Sequence, residues 1–231
     1  MTAVIDQGGR SPVPQARFPG RARRVELALA LLLTVSAIAI PDWWVLAIPW
    51  RTDMAGLQAL SWETYWTSLL MLFALALALP DTHGSGICLG KIREQWRRVA
   101  VVTAGPPILV ATVYPLVGAT AFAGRGAAMW AIAPIAQNLI FLGFIYGRLE
   151  RVLPTTVGAR VPVRWALIVT CLCFGLFHLP NLRAQPPGFV AIQVVYTAVL
   201  SIVPGLSRQW TGSILYATAC HVAINFIVWL N

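Results

Sequence analysis

The sequence predicts an all-α fold: a polytopic transmembrane helical bundle of about seven spans, with the N-terminus inside and the C-terminus outside. Three observations carry this. Of 231 residues, 58% are hydrophobic and 11% charged, whereas soluble domains average about 25% charged residues. Apolar runs recur at intervals of roughly 20 to 30 residues, each near the ~20 residues that a helix needs to cross a ~30 Å hydrocarbon layer. Nothing alternates like a barrel strand, so helices are left as the way to satisfy the backbone in lipid.

Residues 1–24 are rich in Pro, Gly and Arg and lack an apolar h-region. They read as a disordered basic cytoplasmic tail rather than a cleaved signal peptide. Residues 25–231 form the transmembrane domain, with spans expected over 25–49, 61–79, 99–118, 127–148, 164–180, 188–206 and 211–230. The longest loops, about 80–98 and 149–163, are too short for a soluble domain. In this arrangement 14 of the 17 Lys and Arg residues, Arg208 among them, lie inside, and only Arg51, Arg125 and Arg183 lie outside. That asymmetry is the positive-inside signature. Trp43, Trp44, Trp50, Trp62, Trp66, Trp130 and Trp229 fall at outer ends and Trp96, Trp165 and Trp210 at inner ends, as interfacial belts require. Cytoplasmic loops facing anionic inner-leaflet lipid then account for the net charge of +9 without a nucleic-acid partner. Cys88, Cys171, Cys173 and Cys220 show no CxxC spacing and read as packing residues, with neither a disulfide framework nor a zinc knuckle implied.

Against this apolar background a few polar residues stand out. His221 and Asn225 of CHVAIN are four residues apart in the last span, so both project from one helix face. Phe174 and His178 have the same spacing in the fifth span, where Pro180 is expected to end the helix two residues later. The fourth span carries Gln137 and Asn138 in PIAQNLIFLGF. Each group must find a partner in hydrocarbon, so the three helices are expected to share one interior polar cluster. The plain alternative is that these side chains only join helices, for about 0.6–2 kcal/mol per bond. Two imidazoles and an amide at helical spacing favour a site, because such a set can bind a metal or steer a water. Phe141, Phe174, Gly143 and Gly175 read as packing residues.

FxxxH at Phe174 to His178, followed by HxxxN at His221 to Asn225, resembles the CAAX-protease and bacteriocin-processing family of intramembrane endopeptidases, also called the Abi family. The LGKIREQWRR lead-in to the third span and Thr211-Gly212-Ser213 before the last are similar too. The resemblance covers roughly residues 87–230, with the core motifs in 127–230. It implies a multi-pass protein of the bacterial plasma membrane that binds a membrane-embedded or lipidated peptide. His178, His221 and Asn225 would be catalytic residues, with the positions of Gln137 and Asn138 in the first motif. Family members acting on prenylated substrates face the cytoplasm, whereas the charge distribution here puts the cluster between mid-membrane and the outer leaflet.

That first motif, EExxxR, supplies the glutamate thought to activate the attacking water, and this chain departs from it. Gln137 and Asn138 stand in place of the acids and Leu142 in place of the arginine. A carboxamide can orient a water but cannot take its proton, and general-base help of this kind is commonly worth about 10²–10⁴ in rate. Glu150 lies thirteen residues beyond Gln137, about 20 Å along a helix and on another face. Glu63 reaches the cluster only if the second span packs against the fourth. Asn138 and Leu142 are i, i+4, and an arginine without its acid costs about 2.5 kcal/mol or more in mid-membrane, so loss of both together is coherent. His178 and His221, with Asn225, would hold zinc without the anionic ligand of two-His-plus-carboxylate sites. Cys171 is seven residues from His178, and Cys220 is rotated about 100° from His221, so neither makes a Cys-His pair within its own helix. The readings left are a protease-like protein with impaired or lost peptidase activity, an active intramembrane endopeptidase using the histidines alone or with Glu63, and a small transporter or channel subunit. Polar positions at one depth, rather than through the bilayer, disfavour the last.

Overall fold

A computed structural model describes residues 20–47, 73–76, 79, 84–117, 127–183 and 185–230. The described chain is almost entirely helical. Its elements are α1 (Gly20–Ala47), α2 (Ile92–Val117), α3 (Ala127–Asn138), a π-helical segment (Leu139–Ile145), α4 (Tyr146–Val152), α5 (Trp165–Leu176), a 3-10 segment (Leu179–Arg183), α6 (Pro187–Thr211) and α7 (Leu215–Leu230). Three continuous helical stretches, Ile132–Val152, Trp165–Leu182 and Pro187–Thr211, are long and apolar enough to cross a membrane, and Leu215–Val228 is apolar but shorter. The second expected span lies outside the described residues except for a turn at 73–76 and residue 79.

Burial sorts these helices by face. α5 packs against α6, and α7 packs against α2, α3 and α6. The core runs through Ile140, Phe141, Ile145, Tyr146, Leu167, Cys171, Phe174 and Ala217. Outward faces remain apolar: Val101 and Ile108 on α2 and Ile192, Val195 and Val199 on α6 are all more than half exposed. Apolar residues pointing both inward and outward are what a helix in lipid requires. Cys171 and Cys220 are buried and Cys88 and Cys173 half-buried, all four as free thiols.

Several boundaries differ from those read in the sequence. α5 ends at Leu176, so His178 sits in a turn beyond the helix. The reason is Pro180, whose ring would clash with the carbonyl four residues back, that of Leu176. The expected loop 149–163 contains a small antiparallel ribbon, β1 (Thr156–Val157) against β2 (Val163–Arg164), paired Thr156 to Arg164 and Val157 to Val163. α6 continues past 206 to Thr211 and stops at Gly212, a left-handed residue (φ 78°) whose N–H donates to the Arg208 carbonyl at 2.9 Å. α7 starts at Leu215 rather than 211, with Ser213 Oγ accepting from the Leu215 N–H at 3.2 Å as a helix cap.

Arg208 is a charge whose partners only the fold reveals. Assigned with the cytoplasmic charges, it is 4% exposed. Its Nη2 donates to the Gly84 carbonyl at 2.6 Å and its Nε to the Leu142 carbonyl at 3.3 Å, with the guanidinium 5.4 Å from the Tyr146 ring centre. This cation, in the last turn of α6, is satisfied inside the protein.

The Gly-rich lead-in to α2 is a strap laid against the α6–α7 turn. Lys91 N–H donates to the Thr211 carbonyl and Ile214 N–H to the Gly86 carbonyl, both at 3.0 Å, while Tyr216 Oη donates to the Leu89 carbonyl at 2.8 Å. Gly90 is required here twice over. Its φ is 64°, and a Cβ would lie 2.4 Å from the Thr211 carbonyl oxygen.

Candidate functional site

The π-helical segment sets the geometry of the site. Tyr146 N–H bonds to the carbonyls of Gly143 and of Phe141, five residues back. A regular helix would pair that N–H with Leu142. One residue more per turn changes the facing of everything before it by about 100° relative to everything after. Asn138, the last residue of α3, is thereby buried against α7, while Arg148 and Glu150 beyond the segment reach Glu26 and Arg164. The Leu142 carbonyl bypassed by Tyr146 is the one that Arg208 engages.

On α7, His221 and Asn225 share the face expected from their spacing. Asn138 Nδ2 lies 3.4 Å from His221 Nδ1, at the long end of hydrogen bonding. With the amide nitrogen donating, Nδ1 is the acceptor and the ring proton resides on Nε2. Thr218 Oγ1, one turn earlier on the same helix, is buried without a hydrogen-bond partner among the described residues.

The second imidazole arrives from the turn after α5. Phe174 lies between the two rings, with its centroid 5.9 Å from that of His178 and 5.6 Å from that of His221. Phe177 closes on His178 at 5.8 Å, and Phe141 packs on Phe174 at 5.0 Å and on Phe177 at 5.6 Å. Such pairs contribute about 0.5–1.5 kcal/mol each beyond area burial, so the histidines are held by an aromatic box drawn from three elements. Phe141 and Phe174 thus pack as expected. Gly143 lies against the Ser85 carbonyl and Gly175 against α6.

The structure therefore sets Asn138 against His221 and places His178 and His221 on the same Phe174 ring. Gln137 and Asn225 are half-buried on the same elements, and neither makes a side-chain hydrogen bond among the described residues. Glu150 accepts from Tyr146 Oη at 3.2 Å and pairs with Arg164, which engages it away from the histidines. Glu63 lies outside the described residues. No group of three His, Cys, Asp or Glu suited to a metal occurs among the described residues. Two imidazoles and an amide do not fit a zinc centre, whose protein ligands are thiolate, imidazole and carboxylate: the amide is none of these, which leaves two such donors where a catalytic site takes three. What the arrangement offers chemically is two imidazoles and amide groups in a largely apolar enclosure: they can orient a water or a peptide carbonyl, and among the described residues the imidazoles are the only bases in it.

Sequence reasoning missed Arg208 and the main-chain contacts of Gly84–Lys91, both of which support the π-helical segment. The Gly spacing of the strap was visible, but its docking partner was not. Among curated proteins and among solved structures, none matches this chain. Residues 119–227 match the family described as type II CAAX prenyl endopeptidase, Rce1-like. Every member of the polar cluster lies within that stretch, and residues 119–227 of this chain are a domain of the Rce1-like type II CAAX prenyl endopeptidase family.

Proposed function

We propose that this protein binds a membrane-embedded or lipidated peptide at the cluster of Asn138, His178, His221, Asn225 and Gln137, and that its peptidase activity is impaired or lost. One observation carries the reading: an amide, Asn138, faces His221 at 3.4 Å where water activation calls for a carboxylate. An amide nitrogen donating to Nδ1 uses the imidazole lone pair and supplies no base of its own. Peptide recognition needs only shape, apolar walls and hydrogen-bonding groups, all of which survive the exchange of acid for amide. The family domain supports a peptide as ligand, and a C-terminal Cys-a-a-X sequence with its prenyl chain is the natural probe.

In the same reading the chain crosses the membrane about seven times, N-in and C-out, with anionic lipid at its basic cytoplasmic loops. A farnesylated fluorogenic peptide ending in Cys-a-a-X, presented to the purified full chain in detergent, tests both halves. The expected result is binding without cleavage by wild type, and cleavage after Gln137→Glu, Asn138→Glu and Leu142→Arg together, by a factor of about 10²–10⁴. Cleavage by wild type that His178→Ala abolishes would overturn the loss of activity in favour of an endopeptidase run by the histidines. Absence of binding by both proteins would overturn the peptide ligand.

A further inference from the structure

His178 raises a question of placement. It lies outside any helix, and none of the described residues donates to or accepts from its imidazole; its neighbours are the rings of Phe174 and Phe177. Aromatic contacts are broad in angle, so they confine a ring without fixing its tilt. The definition must come from the backbone around it.

That backbone is tied down at two points, three residues to either side. On the helix side, Gly175 lets α5 meet α6 flush: a Cβ there would lie 2.5 Å from the Val194 carbonyl oxygen and 2.8 Å from Ala198 Cβ. His178 N–H donates to the Gly175 carbonyl at 3.0 Å. On the far side, Asn181 N–H donates to the His178 carbonyl at 3.1 Å, and Asn181 Nδ2 donates to Gln193 Oε1 on α6 at 2.9 Å. Gln193 precedes Val194, so both ties end on the same turn of α6. The second tie is a single side-chain bond, in a chain stretch where Pro180 supplies no N–H.

We infer that Asn181 and Gln193 are positioning residues for His178, their amide–amide bond clamping the turn that aims its imidazole at Phe174 and the site. The clamp ties to α6 a segment in which Pro180 removes one main-chain donor. Gln185, whose N–H donates to the Asn181 carbonyl at 2.9 Å, continues the turn toward α6. The role of the clamp in function rests on the peptide-binding reading above; its action on the ring does not.

The chain has three histidines, His83, His178 and His221, few enough for each ring to be followed by NMR of the full-length, 15N-histidine-labelled protein in detergent micelles. Asn181→Ala and Gln193→Met each break the bond from one side, and both are expected to shift the His178 ring signals while leaving those of His221 in place. Asn181→Asp is the discriminating variant. An aspartate can only accept, but Gln193 turned end for end offers it Nε2–H, so the clamp re-forms and the wild-type His178 signals return. Unchanged His178 signals in Gln193→Met, or joint displacement of all three histidines in every variant, would overturn the inference. Should Asn181→Ala fail to fold, Gln193→Met and Asn181→Asp still give opposite expectations. Binding of the farnesylated peptide, measured on the same samples and on His178→Ala, separates the two proposals: displaced rings with peptide binding unaffected by any variant would retain the clamp and remove the function assigned to His178.

Discussion

Replacing Arg208 by Met probes how the π-helical segment is held. Methionine is unbranched, apolar and nearly as long, so it fills most of the space and isolates the loss of the guanidinium from the creation of a cavity. In the wild type that group donates to two carbonyls, Gly84 at 2.6 Å and Leu142 at 3.3 Å. Hydrogen bonds involving a charged partner contribute about 1.5–3 kcal/mol each, and a buried carbonyl left unpaired costs about 1–3 kcal/mol. Relief from burying the cation offsets part of this, leaving a net loss of about 3 kcal/mol. For a chain of this size, each kcal/mol moves Tm by about 2–4 °C, so the expected drop is about 6–12 °C. Arg208→Lys keeps a charge that reaches one carbonyl but lacks the fork that reaches both, and is expected to fall about halfway. The assay is thermal unfolding in detergent followed by intrinsic fluorescence, for which ten tryptophans give ample signal. A Met variant within about 2 °C of wild type would refute the reasoning, since the two carbonyls would then be satisfied without the cation.

Asn138→Leu removes the contact with His221 and is expected to destabilise by about 1–2 kcal/mol, read as a lower Tm; an unchanged Tm would mean the contact contributes nothing. Gly90→Ala meets the Thr211 carbonyl in a left-handed conformation and should cost about 2 kcal/mol or more. Gly105→Ala, on α2 with nothing within 4 Å of its added Cβ, should be neutral or stabilise by up to about 1 kcal/mol; equal effects in the two would undo the strap argument. Zinc added to the full chain is expected to leave Tm unchanged, and a saturable rise abolished by His178→Ala would overturn the conclusion that the donor set does not fit the metal.

The readable parts of this protein were those governed by local rules. Spacing four residues apart placed His221 and Asn225 on one face of α7, and apolar length marked the helical stretches. The turn carrying His178 was half-readable: Pro180 announced a break, but the break falls at the carbonyl its ring displaces, two residues before the histidine. The π-helical segment was not readable, because in LIFLGFI every residue is apolar and a change of phase leaves no periodic trace. The partners of Arg208 were hidden for a related reason. A topology rule counts cations by segment, and only tertiary packing reveals that this one turns inward to the Leu142 and Gly84 carbonyls. Of the two amides that stand in place of the acids, Gln137 and Asn138, the fold presents Asn138 to the imidazole.

Between Leu139 and Ile145 the main chain is longer by one residue than a regular helix joining the same two ends. Loss of a single codon there would let the helix close up and leave Arg148, Glu150 and Leu149 where they are, while turning Asn138 about a quarter of a circle from α7. Insertions and deletions in this stretch, more than substitutions, are therefore the changes that would disconnect the amide from the imidazole in an otherwise intact bundle.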